Sequence, residues 1–275
     1  MTRQRKFTAL LAGIGALIAL VILLFPLYAV IIASFETNSQ LLGTRYNFLP
    51  PTPSFSNYSA VISTQGGHIA STLIIGVFTA LLTLVIALPA AHALARYRFR
   101  VTAMLVGGLL IAQILPAIVI ANSLFLLYHK LHLLNTYPGL ILADASYGVP
   151  FSILVLRAFM LGLPNDVLQA ARVDGASEWK TFVRVVLPMS RSAVITVAVF
   201  AFLNGWGDFI FALTLLSGSS FQPITLSIYS YIGEFTSNIG EAMALCVIGI
   251  LPAAMLLIAA QRYIAAGLTV GSVKG

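Results

Sequence analysis

The sequence predicts an all-α integral membrane protein, a bundle of six transmembrane helices, and three observations carry that expectation. The chain is 59% apolar and only 8% charged, whereas a soluble domain uses about a quarter charged residues to cover its surface. Its apolar residues fall into long blocks that are apolar on every face, with the basic residues between them. At 275 residues there is room for about six spans of roughly 20 residues with their connections. Uniform apolarity over such lengths specifies helices, because a barrel strand is shorter and alternates.

The first block, about 8–35, holds no charge between Lys6 and Glu36. It is too long for the apolar core of a signal peptide, and no cleavage-type sequence follows, so it is read as retained. A polar, proline-rich stretch comes next, with Leu49-Pro50-Pro51-Thr52-Pro53 and Asn57-Tyr58. The second span is expected over 68–95 and the third over 101–128. The fourth, 139–160, is the least apolar and contains Asp144 and Arg157. The fifth is expected over 193–216 and the sixth over 239–260, all within one transmembrane domain, 1–275. Prolines 26, 89, 116, 150 and 252 fall in these blocks. Each frees a helix carbonyl that a neighbouring helix or water must satisfy, so together they favour bent helices around a path.

Charge sets the orientation. With both ends in the cytoplasm, thirteen of the fifteen Lys and Arg residues lie inside and only Arg45 and Lys130 lie outside. That is a strong positive-inside pattern, and the chain is expected as a multi-pass protein of a bacterial inner membrane. The +7 net charge is dispersed between spans, which argues against a nucleic-acid partner. The lone Cys246 excludes a disulfide within the chain, and the four histidines, His68, His92, His129 and His132, are expected at span ends or in loops. No metal-ligand cluster and no nucleophile–base pair stands out, so a metal site and a membrane enzyme are both disfavoured.

One connection, 161–192, is longer and more patterned than a linker. Asn165 or Asp166 is placed to cap a short helix over 167–173 that carries the pair Ala170-Ala171. Asp174-Gly175 breaks it, and Ser177 is placed to cap a second helix, 178–186, which Leu187-Pro188 ends. Trp179, Phe182, Val183 and Val186 are spaced to share one face. Small residues at the bend invite close approach by another protein; the basic residues equally fit an amphipathic loop lying on the bilayer.

The run Gln169-Ala170-Ala171-Arg172-Val173-Asp174-Gly175-Ala176, followed by Val185-Val186-Leu187-Pro188, resembles the cytoplasmic loop of binding-protein-dependent ABC importer permeases. Asn47-Phe48-Leu49-Pro50 with Asn57-Tyr58, Ala95-Arg96-Tyr97-Arg98-Phe99, Trp206-Gly207-Asp208-Phe209 and the ending Gln261-Arg262-Tyr263…Gly267-Leu268-Thr269…Gly271…Val273-Lys274-Gly275 extend the resemblance to the carbohydrate branch, the group of the maltose permeases. Two positions depart from that pattern. Gln169 stands where the family has Glu, and Gly207 where it has Asn between Trp and the acidic residue.

The resemblance implies a type I importer bundle with a coupling helix. The docking residues would be Gln169, Ala170, Ala171, Asp174, Gly175, Ala176, Leu187 and Pro188. It also implies four kinds of partner: a second homologous permease chain, a cytoplasmic ATPase dimer, an external solute-binding protein and the membrane lipid. ATP and Mg would belong to the ATPase. This chain has no phosphate-binding Gly-x-x-x-x-Gly-Lys-Ser/Thr; its one Lys-Thr pair, Lys180-Thr181, follows Trp179. The segment 218–238, rich in Ser, Thr, Gly and Tyr without Lys or Arg, is a candidate contact for the binding protein.

Polar residues inside spans are costly in lipid and so mark a candidate solute path: Gln113, Asn122, Asp144, Ser146, Tyr147, Asn204 and Asp208. Asp144 and Arg157 lie about 20 Å apart along a helix and cannot pair. Snorkelling accounts for Arg157, and a bond to a neighbouring helix competes with substrate contact at Asp208. Amides, carboxylates and an aromatic face suit a sugar or similar neutral solute. Two alternatives remain at this level. A stand-alone secondary carrier would want a proton-relay chain that the scattered Asp144, Asp208 and Glu241 do not form. A phosphorylated polyol would want Lys or Arg along the path.

Overall fold

The structure is a computed structural model that describes residues 3–43, 48–97, 100–233 and 238–269. Arg45 and Asn47, Arg98 and Phe99, residues 234–237, and Gly271, Val273, Lys274 and Gly275 lie outside the described residues.

Among the described residues every regular element is helical. In chain order they are α1 (Arg3–Ser34), α2 (Asn38–Leu41), α3 (Ser56–Arg96), α4 (Arg100–Ala112), α5 (Ala117–Leu131) and α6 (Tyr137–Leu161). Then come α7 (Asn165–Val173), α8 (Glu178–Thr181), a π turn (Phe182–Val186), α9 (Leu187–Met189) and α10 (Arg191–Trp206). The chain continues through α11 (Ile210–Leu215) and α12 (Ile224–Gly233) to α13 (Ile239–Thr269). Four helices are long and apolar enough to cross a membrane unbroken, within α1, α3, α6 and α13. Six spans result if two bent helix pairs each count as one.

The expected third span, 101–128, is one of those pairs. It bends by 97° between α4 and α5. Pro116 has no amide to continue the ladder and itself caps α5 in an extended conformation. The turn before it tightens instead, with Gln113 N donating to Leu110 O at 3.3 Å and Ile114 N to Ile111 O at 3.0 Å. The expected fifth span, 193–216, is also interrupted. Its helix stops at Trp206 and resumes at Ile210, and the interval is a side-chain cap described below.

The second span begins twelve residues earlier than its apolar block suggests, at Ser56. Hydropathy reports contact with lipid, not helicity. The polar turns 56–67 stay helical while Ser59, Ser63 and Thr64 return their hydroxyls to Ser56 O, Ala60 O and Ala60 O. As a result His68 lies inside α3 instead of at its start, while His92 stays near its end. Pro26, Pro89, Pro150 and Pro252 all lie inside helices.

The chain forms two compact units, and α3, α12 and α13 contribute to both. The first comprises Met1–Gly66 and Ser227–Leu251. Its polar heart is Asn57, whose Nδ2 donates to Ser34 O at 3.0 Å and to Glu36 O at 2.8 Å. These bonds take up carbonyls at the end of α1, where no intrahelical donor remains. Ser34 Oγ and Tyr58 OH share a bond of 2.7 Å, and Phe35 packs edge-on to Phe55. Most of α1 is exposed along its apolar length, as lipid contact requires.

The second unit comprises Gly67–Leu226 and Pro252–Gly275. One core cluster joins α5, α6 and α11 through Ala121, Tyr128, Leu140, Ala143, Phe211 and Leu215. Another joins α3, α6, α7, the π turn and α10 through Ala87, Ala91, Leu156, Leu168, Val186 and Val197. Close helix approach depends on missing β-carbons. One added to Gly205 would meet Thr79 Oγ1 at 2.8 Å and the Gly76 Cα at 3.2 Å. Arg157 is tethered to a neighbouring helix: its Nε donates to Leu94 O at 3.1 Å, in the last turn of α3.

Candidate functional site

Two regions of the second unit carry the residues singled out by sequence: the segment 161–192 and a cavity between α6 and α10.

The segment is two short helices around one tight bend. Neither Asn165 nor Asp166 caps the first helix. α7 begins at Asn165 itself, and the extended N-cap position falls on Pro164, whose ring has no acceptor to offer the first amides. The far end of α7 is closed by a glycine cap. Gly175, at φ +76°, lets its own amide donate to Arg172 O and the amide of Ala176 to Ala171 O, each at 3.0 Å. This paired bonding after a left-handed glycine fixes the position of glycine four residues beyond Ala171. Ser177 caps the second helix as the sequence suggests, accepting from Lys180 N at 3.3 Å. Arg172 and Glu178 form an ion pair across the bend. Half-exposed, that pair contributes only a few tenths of a kcal/mol to about 1 kcal/mol.

Leu187-Pro188 does not end the second helix. The missing amide of Pro188 is accommodated by widening the preceding turn, in which Leu187 N donates to Phe182 O, and helix persists to Met189. The break comes at Ser190, and Glu178–Met189 meets α10 at 80°. The proposed apolar face also divides. Phe182 and Val186 are buried in the core, but Trp179 is 69% exposed and Val183 is exposed beside it. On α7, Leu168 is buried while Val173 is 88% exposed. Gln169, Ala170, Asp174, Gly175 and Pro188 are exposed, and Ala171, Ala176 and Leu187 half-buried. The segment is therefore rooted by three apolar side chains and presents others outward.

The cavity has a volume of about 270 Å³. Gln113, at the bend between α4 and α5, lines it together with Tyr147 on α6 and Asn204 on α10. These are three of the seven path residues. Asn204 is oriented by its Nδ2, which donates to Asp144 O at 3.0 Å. The Asp144 side chain is buried, and neither carboxylate oxygen has a hydrogen-bond partner among the described residues. Asp208 does different work. Its carboxylate accepts from Phe211 N at 3.1 Å and Ala212 N at 2.8 Å, capping α11. Its carbonyl also accepts from the Thr225 hydroxyl. Ser146 is exposed and turned to Ala143 O at 2.7 Å. Asn122 is exposed on α5, outside the cavity lining.

Sequence reasoning missed Gly148, Phe151, Ser152, Phe200 and Ala201, which complete the walls. The signal was helical spacing. Gly148, Phe151 and Ser152 follow Tyr147 by one, four and five residues, and Phe200 precedes Asn204 by four. Phe151 and Phe200 meet edge to face with centroids 5.7 Å apart, and Gly148 leaves room where a side chain would approach Asn204. The lining has two amides, hydroxyls and aromatic walls but no Lys, Arg, Asp or Glu. Such a lining offers hydrogen bonds and ring faces of the kind that suit a neutral polar molecule. Among the described residues no group of three or more His, Cys, Asp or Glu is placed to hold a metal.

The model of the binding-protein-dependent transport system inner membrane component family matches residues 83–270. The chain is 30% identical to the sulfoquinovosyl glycerol transport system permease protein SmoH of Agrobacterium fabrum, over 95% of this chain and 93% of that protein. It is 31% identical to the arabinooligosaccharides transport system permease protein AraQ of Bacillus subtilis, over 92% and 91%. The trehalose transport system permease protein SugB of Mycobacterium tuberculosis is 31% identical over 82% and 84%. A solved chain of a bacterial ABC transporter involved in alginate import shares the fold, with a TM-score of 0.80 at 21% identity, covering 96% of this chain and 98% of that one. The chain belongs to the binding-protein-dependent transport system inner membrane component family and is a multi-pass, all-helical ABC transporter permease.

Proposed function

We propose that this chain is one permease subunit of an ATP-driven sugar importer, in which the segment 161–192 docks on a separate ATPase dimer. The observation that carries the reading is the division of that segment between a buried root and an exposed tip. Leu168, Phe182 and Val186 hold it to α3, α6 and α10, while Val173 and Trp179 stand in the open. Exposed apolar residues around a rigid bend are what a partner surface requires. A body so rooted passes displacement to the helices instead of absorbing it. The docking set is Gln169, Ala170, Ala171, Asp174, Gly175, Ala176, Leu187 and Pro188, with the neutral Gln169 able to offer the partner hydrogen bonds only. ATP and Mg bind the partner, and this chain hydrolyses nothing. A second homologous permease chain and an external binding protein complete the assembly, and the charge pattern places both termini in the cytoplasm.

The solute class rests on the cavity of Gln113, Tyr147 and Asn204, whose lining carries no ionic group, and on relatives whose names specify neutral saccharides, arabino-oligosaccharides and trehalose. A neutral saccharide fits better than a phosphorylated polyol, which would leave its charge unpaired in this lining. The test is purification of the chain with its native partners, reconstitution into vesicles, and uptake assays with trehalose, arabino-oligosaccharides, diacetylchitobiose and sugar phosphates. ATP-dependent uptake of a neutral saccharide, with an ATPase in the eluate, is expected. Strong competition by a sugar phosphate overturns the neutral class, and a chain that elutes without an ATPase overturns the importer.

A further inference from the structure

The first unit contains a second cavity of about 250 Å³ that is separate from the one described above. Thr64 and Gln65 of α3, Ser230 and Tyr231 of α12, and Asn238 and Glu241 at the start of α13 line it. All six side chains are polar and one is a carboxylate; the lining has no cation. Tyr231 organises them. Its hydroxyl donates to Glu241 Oε2 at 3.2 Å and accepts from Gln65 Nε2 at 3.5 Å. Burial, and then the Glu241 carboxylate, push the Tyr231 phenol up from its ordinary range, so it remains a donor at neutral pH.

The chemistry narrows the occupant. The volume far exceeds that of a bare cation, and only one carboxylate is present. An anion would meet Glu241 with no basic residue to offset it. A large apolar ligand would strip water from six polar side chains and return no hydrogen bond to any of them. What remains is a neutral molecule about the size of one sugar ring, dense in hydroxyls that can both donate and accept. We propose that this cavity is a saccharide-ring subsite at the end of the chain that the charge pattern assigns to the outside. The proposal rests on the importer reading, since it takes the transported saccharide as its ligand.

The probe is a photoreactive diazirine derivative of whichever saccharide the vesicle assay identifies, applied to the intact complex in lipid nanodiscs without binding protein. Peptide mapping is expected to find adducts around Gln65, Tyr231 and Glu241. Excess unmodified saccharide should suppress them. The Tyr231→Phe/Glu241→Gln double variant, nearly isosteric and expected to assemble normally, should reduce them about tenfold. Adducts confined to the Tyr147 and Asn204 region, or unchanged in the double variant, overturn the subsite while leaving the importer intact. Unchanged adducts combined with weaker binding-protein affinity also overturn it, and assign the patch to protein docking. If the wild-type complex takes up no saccharide, the importer reading fails and the subsite falls with it.

Discussion

The side-chain amide of Asn57 occupies the space a β-carbon on Gly240 would need, only 2.5 Å from it. Asn57 cannot retreat, because it is nine-tenths buried and holds the Ser34 and Glu36 carbonyls. Gly240 is fixed on its other side by its own amide, which donates to Asn38 Oδ1 at 3.1 Å. Gly240→Ala should therefore destabilise the protein by about 1–3 kcal/mol. Thermal unfolding in detergent, followed by size-exclusion monodispersity, should show it; an unchanged transition would mean that Asn57 moves freely.

Gly205→Ala tests the other close approach. The added methyl would press on Thr79 from 2.8 Å, and about 1–3 kcal/mol should be lost. Thr79→Gly removes both contacting atoms and should restore part of that loss. A double-mutant cycle with zero coupling would show that the two sites do not touch.

Gly175 separates conformation from contact. Nothing lies within 4 Å of its would-be β-carbon, so the cost of a side chain there is the left-handed backbone. Asn tolerates that region and a β-branched residue does not. Gly175→Asn should keep ATPase co-purification above half of wild type, whereas Gly175→Val should reduce it severalfold in membranes that contain normal amounts of the chain. Equal retention by both variants would remove the bend from the docking surface.

Asp208 should prove structural. Asp208→Ala exposes the first amides of α11 and should cost about 1–2 kcal/mol, while Asp208→Asn should lose less, because an amide oxygen still caps. Uptake by Asp208→Asn should stay within about twofold of wild type once corrected for protein amount. A large drop in uptake at normal stability would return Asp208 to the solute path.

Asn204→Leu should act oppositely, leaving stability within about 1 kcal/mol but weakening solute handling in the cavity. The half-saturating concentration for ATP-dependent uptake is expected to rise about tenfold, equivalent to about 1.4 kcal/mol. An unchanged value would place the solute elsewhere.

The long apolar blocks and their charge bias made the helical membrane class readable in the sequence, because lipid forces every backbone group to pair within its own segment. Ser177 and Gly175 were readable for a related reason: a cap and a left-handed turn are local, and each needs a particular side chain or none. The interruption after Trp206 is equally local, since Asp208 caps the amides of Phe211 and Ala212 three and four residues on, but hydropathy scores that stretch as one apolar run and hides the cap. What could not be read at all was non-local. The Phe151 and Phe200 cavity walls look like lipid-facing residues until α6 and α10 are brought together. Trp179 and Phe182 do share a helix face, with ring centroids 5.5 Å apart, yet the tertiary core claims only Phe182.

The wide turn between Phe182 and Val186 holds one residue more than an ordinary α turn, because Leu187 N reaches back five residues to Phe182 O instead of four. The extra residue is taken up inside the turn, so deleting one residue there would leave an ordinary α turn with Trp179 and α10 in nearly the same phase. The same deletion within α6 would swing every side chain on one side of it by about 100°. The wide turn is thus the place in this stretch where a change of chain length disturbs the aim of the docking tip least.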